Sequence, residues 1–229
     1  MAPGATVSTT WSVAVPASQQ PGSQVIGVTE SVGGAQAGIS GTQTTVAYPS
    51  LSAGFNNVSI TDDADHTPGN IDGGENSFSA QALAAAGLTP GSQFTFDGLV
   101  FTWPSAAAGT ADNVQADGRS FSVTGTGTTL GFLGAAANGQ SSGTATITYT
   151  DGTTQQFTLG FGDWASTSPF PGSQVAVTSA YGNTASGTSP WKASVFYDSV
   201  ALEAGKTIQS VTLPAGSSAP LHVFAAAIG

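Results

Sequence analysis

An all-β, jelly-roll β-sandwich is the fold this sequence predicts, and three features predict it. Short runs of alternating apolar residues recur along its 229 residues, separated by Gly, Pro and Asp-Gly turns. Only 7 % of the residues are charged, against roughly 25 % in an average domain, so Thr and Ser hydroxyls must wet the strands, where Thr is also well suited. One stretch alone reads as helix, near 78–86.

In chain order, TVSTTWSVAV (6–15) and SQVIGVTE (23–30) flank a Pro-Gly turn and read as a two-strand appendage. Residues 31–45 are Gly, Ser, Thr and Gln with few apolar side chains, the composition of a linker or long loop. The appendage and linker are assigned to 1–45 and the main domain to 46–229. The two strands are either edge strands of the main sandwich or the last strands of a preceding immunoglobulin-like domain. Val46–Tyr48 and Phe55–Ile60 are strand-like, and an acidic loop fills 61–76. SFSAQALAAAG then forms a helix of about two turns. Ser77 or Ser79 is its N-cap, Gly87 its stop, and Phe78 and Leu83 its buried contacts.

Three further Asp-Gly pairs allow the strand register to be worked out. A two-residue turn at Asp97-Gly98 pairs Phe96 with Leu99 and Phe94 with Phe101, and puts Trp103 on the same core face. A similar turn at Asp117-Gly118 pairs Val114 with Phe121. At Asp151-Gly152 only a three-residue loop, Thr150–Gly152 with Gly152 at positive φ, keeps Ile147, Tyr149, Phe157 and Leu159 on one face. Further strands are expected at 129–134, 174–179, 193–201, 207–213 and 220–227. The last is almost continuously apolar and should be central.

Three Lys and Arg against thirteen Asp and Glu give a net charge of −10. Nucleic acid and anionic membranes both require clusters of basic residues, and none exists. No window approaches the ~20 apolar residues of a membrane span. There is no cysteine, hence no disulfide framework and no thiolate metal site. Low charge and abundant Thr, Ser and Gly fit a secreted, extracellular bacterial protein. Met1 is followed by no basic region or apolar run, so an excised piece of a longer protein is expected.

Two constellations could bind something. Asp62, Asp63, Asp65, Asp72 and Glu75, with Asn70 and Asn76, offer the oxygens that Ca²⁺ prefers, although their spacing is not that of an EF-hand. The same acids could instead brace the loop through side-chain to backbone hydrogen bonds. Trp164, Phe170, Tyr181 and Trp191 lie in loop-like sequence with Asp163, Asn183 and Lys192 beside them. Aromatic faces and placed polar groups suit a sugar ring, and the same aromatics would also serve as packing. Catalysis is poorly supported. A Ser-His-Asp triad would need His66 or His222, and His222, inside the last strand, reads as a packed histidine. No HExxH motif, phosphate loop or dinucleotide fingerprint is present.

The segments YPSLSAGFNNVSITDD, NIDGGENSFSAQALAAAGLTPG, FTFDGLVFTWP, GTADNVQADG, TTLGFLGAAANGQSSGTATITYTDGTTQQFTLGFGDW and LEAGKTIQSVTLP…LHVFAAAIG resemble the carbohydrate-binding-like β-sandwich module at the end of many large secreted actinobacterial glycoside hydrolases. WSVAVPASQQPGSQVIGVTE is similar to the tail of the Ig-like domain that often precedes it. The chain has Ile71 where that family commonly has Phe, and Gly182-Asn183 where Arg-Asn is frequent. The resemblance implies a galactose-binding-like jelly roll with no catalytic residues, carried beside a parent catalytic domain. It also implies carbohydrate as the partner and, as in many such modules, a structural Ca²⁺. Trp164, Tyr181, Asn183, Trp191 and Asp163 are then the expected ligand contacts, and the five acids of the loop the expected metal ligands. A structural spacer that packs on the parent enzyme is the alternative, and a small carboxylate-dependent glycosidase the remaining one.

Overall fold

The computed structural model describes residues 19–32, 35–217 and 219–229. It divides into two compact units, Met1–Val46 and Ala47–Gly229.

In the first unit, β1 (Gly22–Val32) and β2 (Ala35–Val46) form an antiparallel ribbon paired from Gly22↔Val46 to Val32↔Ala35, with a bulge at Glu30/Ser31. The linker expected at 31–45 is therefore largely strand. Its alternation is carried by Thr, Gln and Ser, which leave no hydrophobic period to read but form ladder hydrogen bonds as well as any residue. Val25 and Ile39 share one face of the ribbon and are 75 % and 73 % exposed. The strand expected at 6–15, its pairing with 23–30, and Trp11 lie outside the described residues.

The second unit is a β-sandwich. Its elements in order are β3 (Ile60–Thr61), β4 (Ser77–Ser79), α1 (Ala80–Ala85), β5 (Gln93–Phe96), β6 (Leu99–Thr102), β7 (Val114–Gln115), β8 (Ser120–Gly125), β9 (Thr129–Ala136) and β10 (Ser141–Tyr149). There follow β11 (Thr154–Phe161), β12 (Gln174–Ser179), β13 (Gly182–Thr184), β14 (Gly187–Ser189), β15 (Ala193–Ala201), β16 (Ile208–Thr212) and β17 (Leu221–Ile228). One layer is β11-β10-β16-β8 and the other β12-β15-β9-β17-β7. Phe132 of β9 stacks on Phe157 of β11 across the core at 5.7 Å. A smaller sheet, β14-β13-β4-β3, and the β5-β6 hairpin complete the unit. No helix among the described residues is long and apolar enough to cross a membrane.

Local chemistry explains most elements. Ser79 caps α1 by accepting a hydrogen bond from the Ala82 N–H at 3.0 Å, and Gly87 ends it at φ +97°. The β5-β6 register is Phe96↔Leu99 and Phe94↔Phe101, as the Asp97-Gly98 turn predicts, with both turn residues at positive φ (47° and 77°). Gly98→Ala forces a Cβ into that conformation. It is expected to cost about 1 kcal/mol, a loss of about 2–4 °C in Tm by calorimetry. The Thr150–Gly152 loop also forms as expected: Gly152 has φ +82°, Thr148 pairs with Thr154, and the Tyr149 N–H donates to the Thr153 carbonyl at 2.9 Å. Strands 174–179 and 193–201 have the predicted limits. β17 is an interior strand between β9 and β7, while β9 occupies the centre.

Two expectations fail in this second unit. Val114 does not pair with Phe121: β7 pairs with β17 (Val223↔Val114) and β8 with β16 (Val211↔Phe121), in opposite layers. The Asp117-Gly118 turn carries the chain between layers, and Gly118 donates to the Pro214 carbonyl. The strands expected at Val46–Tyr48 and Phe55–Ile60 shrink to bridges at Tyr48↔Phe121 and Asn57↔Asn113 plus Ile60–Thr61. A 3₁₀ turn at Ser52–Gly54 intervenes, with the Ala53 N–H donating to Ser50 Oγ.

Candidate functional site

The acidic loop and the loops after Gly162 meet at one place. Parallel pairing of β3 with β4 and antiparallel pairing of β4 with β13 bring Thr61, Ser77 and Asn183 together. The Thr61 and Ser77 hydroxyls lie 2.6 Å apart, and fully buried Asn183 donates through Nδ2 to Thr61 Oγ1 at 3.0 Å. Beside them the Tyr181 hydroxyl donates to Asp63 Oδ2 at 2.8 Å, and His66 Nε2 lies 3.2 Å from the Ala185 carbonyl oxygen.

Four acids of the loop, Asp62, Asp63, Asp65 and Asp72, are hydrogen-bonded within the protein. Asp62 accepts from the Ala64 N–H and from Gln81 Nε2, and these two bonds hold its carboxyl below the usual range. Asp63 also accepts from Ser79 Oγ, Asp65 from Thr67 Oγ1, and Asp72 from the Gly74 N–H and Asn76 Nδ2. Asn70 Oδ1 accepts from the N–H of Glu75, an exposed residue at φ 60°. Among the described residues no three acids or histidines are grouped so as to hold a metal ion. Calcium requires six to eight converging oxygens, whereas Asp62, Asp63, Asp65 and Asp72 already accept from protein donors. EDTA is accordingly expected to leave the melting temperature unchanged, whereas removal of an ion bound only to the native state would lower it.

The aromatic candidates pack more than they present. Trp164 is 2 % exposed, edge-on to Phe78 (5.3 Å) and to half-buried Trp191 (6.0 Å). Its backbone is clamped: its N–H donates to the Ala136 carbonyl, and its carbonyl accepts from the Ser194 N–H. Asp163 accepts from the N–H groups of Ala165 and Gly139, closing a turn. The Phe170 ring lies against Gly160, and Lys192 is exposed. Tyr181 and Trp191 are thus the half-exposed members of the expected set, and Trp164 and Asn183 are interior supports.

A second polar cluster lies inside the sandwich. Asp112, 2 % exposed, accepts from Ser59 N–H and Oγ, from the Ile60 N–H at 2.8 Å and from Asn113 Nδ2 at 2.8 Å. Asn113 Nδ2 also donates to Ser59 Oγ, so its Oδ1 is the acceptor for His222 Nδ1–H at 2.8 Å. Burial pushes the Asp112 carboxyl up to about 6 and the His222 imidazole down to about 4. A serine, a histidine and an aspartate are therefore close. Yet the histidine meets an amide rather than the serine or the carboxylate, and all four groups are closed to solvent. A nucleophile–base pair needs the histidine on the serine hydroxyl, and the site lacks it.

One surface feature is not marked by any local sequence pattern. A cleft of about 230 Å³ opens between the Ser50–Phe55 segment, the end of β6 and β17, with Trp103 and Phe224 beneath Ser50, Ser52, Thr102 and Ser105. Trp-Pro-Ser at 103–105 and the paired serines at 50 and 52 were the available signals. Their meeting depends on contacts far apart in the chain.

No curated protein matches this sequence. Residues 46–229 match the family model described as the AziU2-like beta-sandwich domain, which spans the same sandwich just described. The chain belongs to the family of proteins with an AziU2-like beta-sandwich domain.

Proposed function

We propose that the sandwich is a non-catalytic carbohydrate-binding module of a large secreted glycoside hydrolase, holding the enzyme on a polysaccharide or glycan. One observation carries this reading. Most groups capable of acid–base chemistry are buried or hydrogen-bonded within the fold, and only 7 % of the residues are charged, so Thr and Ser hydroxyls wet much of the surface. Arg119 is paired with Asp117 at 2.9 Å and Lys206 with Glu203 at 2.5 Å. Such a surface suits a neutral, hydroxyl-rich partner, whose recognition relies on apolar walls and a few placed polar groups. The sequence resemblance to accessory modules of glycoside hydrolases points the same way.

A glycan array supplemented by affinity electrophoresis tests it. Binding to at least one plant, fungal or bacterial cell-wall glycan, without hydrolysis, is the expected result. Silence across all of them sinks the reading in favour of a spacer that packs on its parent enzyme. The exposed Val25 and Ile39 on one face of the β1-β2 ribbon favour that second reading. Hydrolysis abolished by an Asp→Asn change would instead make the protein an enzyme.

A further inference from the structure

We propose that the cleft between the Ser50–Phe55 segment and the end of β6 is a binding site for one neutral sugar ring. The proposal rests on the carbohydrate reading above and names the place and the ligand class.

The cleft has the chemistry of such a site. Beneath it lies the buried pair Trp103 and Phe224, 2 % and 1 % exposed, stacked with ring centroids 5.0 Å apart and planes 26° apart. Half-buried Phe55 and Leu51 supply its accessible apolar surface, and the C–H face of a pyranose packs on surfaces of this kind. Around the floor stand the hydroxyls of Ser50, Ser52, Thr102 and Ser105, each able to donate and to accept. None of the residues lining the cleft is ionisable. A charged ligand would lose hydration there without gaining a partner, which selects a neutral one. The volume of about 230 Å³ is below the roughly 300–1,000 Å³ of pockets for drug-sized ligands, so it holds one ring rather than a buried oligosaccharide.

Both walls are also held in place. The Gly54 N–H donates to the Leu51 carbonyl, and Arg119 Nη1 donates to the Gly54 carbonyl at 3.2 Å while its guanidinium lies 5.5 Å from the centre of the Tyr48 ring. Opposite, the Trp103 N–H donates to the Ser92 carbonyl and the Gly91 N–H to the Pro104 carbonyl. Rigid walls lower the ordering cost of binding.

The test is a titration of the ¹⁵N-labelled full chain with D-glucose, D-galactose, D-mannose, D-xylose and L-arabinose, followed by amide shifts. At least one sugar is expected to give saturable shifts centred on Leu51, Thr102, Ser105 and Ala226. Thr102→Trp and Ser105→Trp, both at exposed positions, are expected to weaken that sugar at least tenfold with the melting temperature unchanged. Saturable shifts elsewhere, or variants that bind like the wild type, overturn the cleft proposal and leave the carbohydrate reading standing. A glycan array that is positive while the cleft amides stay still has the same consequence. If neither the sugars nor the array gives any binding, both fail together.

Discussion

Replacing Phe78 with alanine is expected to destabilise the 47–229 unit by about 3–5 kcal/mol, the largest loss of any single truncation proposed for this protein. Phe78 is fully buried and is the middle ring of a continuous aromatic line. Trp191 meets Trp164 at 6.0 Å, Trp164 meets Phe78 at 5.3 Å, Phe78 meets Phe224 at 5.8 Å, and Phe224 stacks on Trp103 at 5.0 Å. Its removal costs the transfer of a whole ring and leaves a cavity that its neighbours cannot fill. Each is pinned elsewhere: Trp164 by two backbone hydrogen bonds, and Phe224 within the interior strand β17. The expected fall in Tm is about 6–20 °C at the 2–4 °C per kcal/mol of a domain this size. In urea the midpoint should fall with an unchanged m-value, and the near-UV circular dichroism of the tryptophans should weaken. Phe78→Leu refills much of the space and should recover about half the loss. A loss below about 1 kcal/mol for the alanine variant would mean that the aromatic line does not hold the small sheet to the sandwich.

Much of this fold was legible where its determinants are local. The Asp97-Gly98 and Thr150–Gly152 turns fix their hairpins because a side-chain period of two leaves one register per turn length. The cap of α1 needed only Ser79, an alanine-rich run and Gly87. Reading failed where partners are remote. Val114 and Phe121 flank a plausible turn, but β17 and β16, about a hundred residues downstream, take them into opposite layers. The loop around Trp164 looks exposed in sequence, and only bonds to Ala136 and Ser194 turn its indole inward. The loop acids have the composition of a cation site, and Asp63 instead finds Tyr181, 118 residues away. Nothing adjacent to Asp112 marks it as interior. An isolated Asp-Asn pair in a chain with only 7 % charged residues was the only hint.

The buried pair Asp112 and His222 carries the second large effect, because the two groups oppose each other in pH. Asp112→Ala removes the acceptor of the Ser59 and Ile60 N–H groups deep in the core. At about 1–3 kcal/mol for each orphaned donor it should cost about 4 kcal/mol at pH 7. The pH dependence separates the partners. Burial raises the folded Asp112 to about 6, above the ordinary 3.8, so the native state holds the proton more tightly. Its contribution is complete below pH 3.8 and is lost as pH rises through 6. His222 titrates at about 4 when folded, below 6.5. Its contribution is complete above pH 6.5 and is lost as pH falls through 4. The difference between folded and unfolded values corresponds to about 3 kcal/mol for each group, and the opposite slopes largely cancel between pH 4 and 6. Single variants expose them. The stability of Asp112→Asn relative to wild type should fall by about 3 kcal/mol as the pH is lowered from 6 to 4. His222→Gln keeps a donor for Asn113 Oδ1, and relative to wild type it should gain a similar amount over pH 6.5 to 4. Asp72, whose charge acts on His222, is present in both variants and drops out of the comparison. Urea unfolding at pH 4, 5.5 and 7 measures both differences. If neither changes with pH, the two groups do not titrate inside the fold, and the cancellation across Asn113 does not exist.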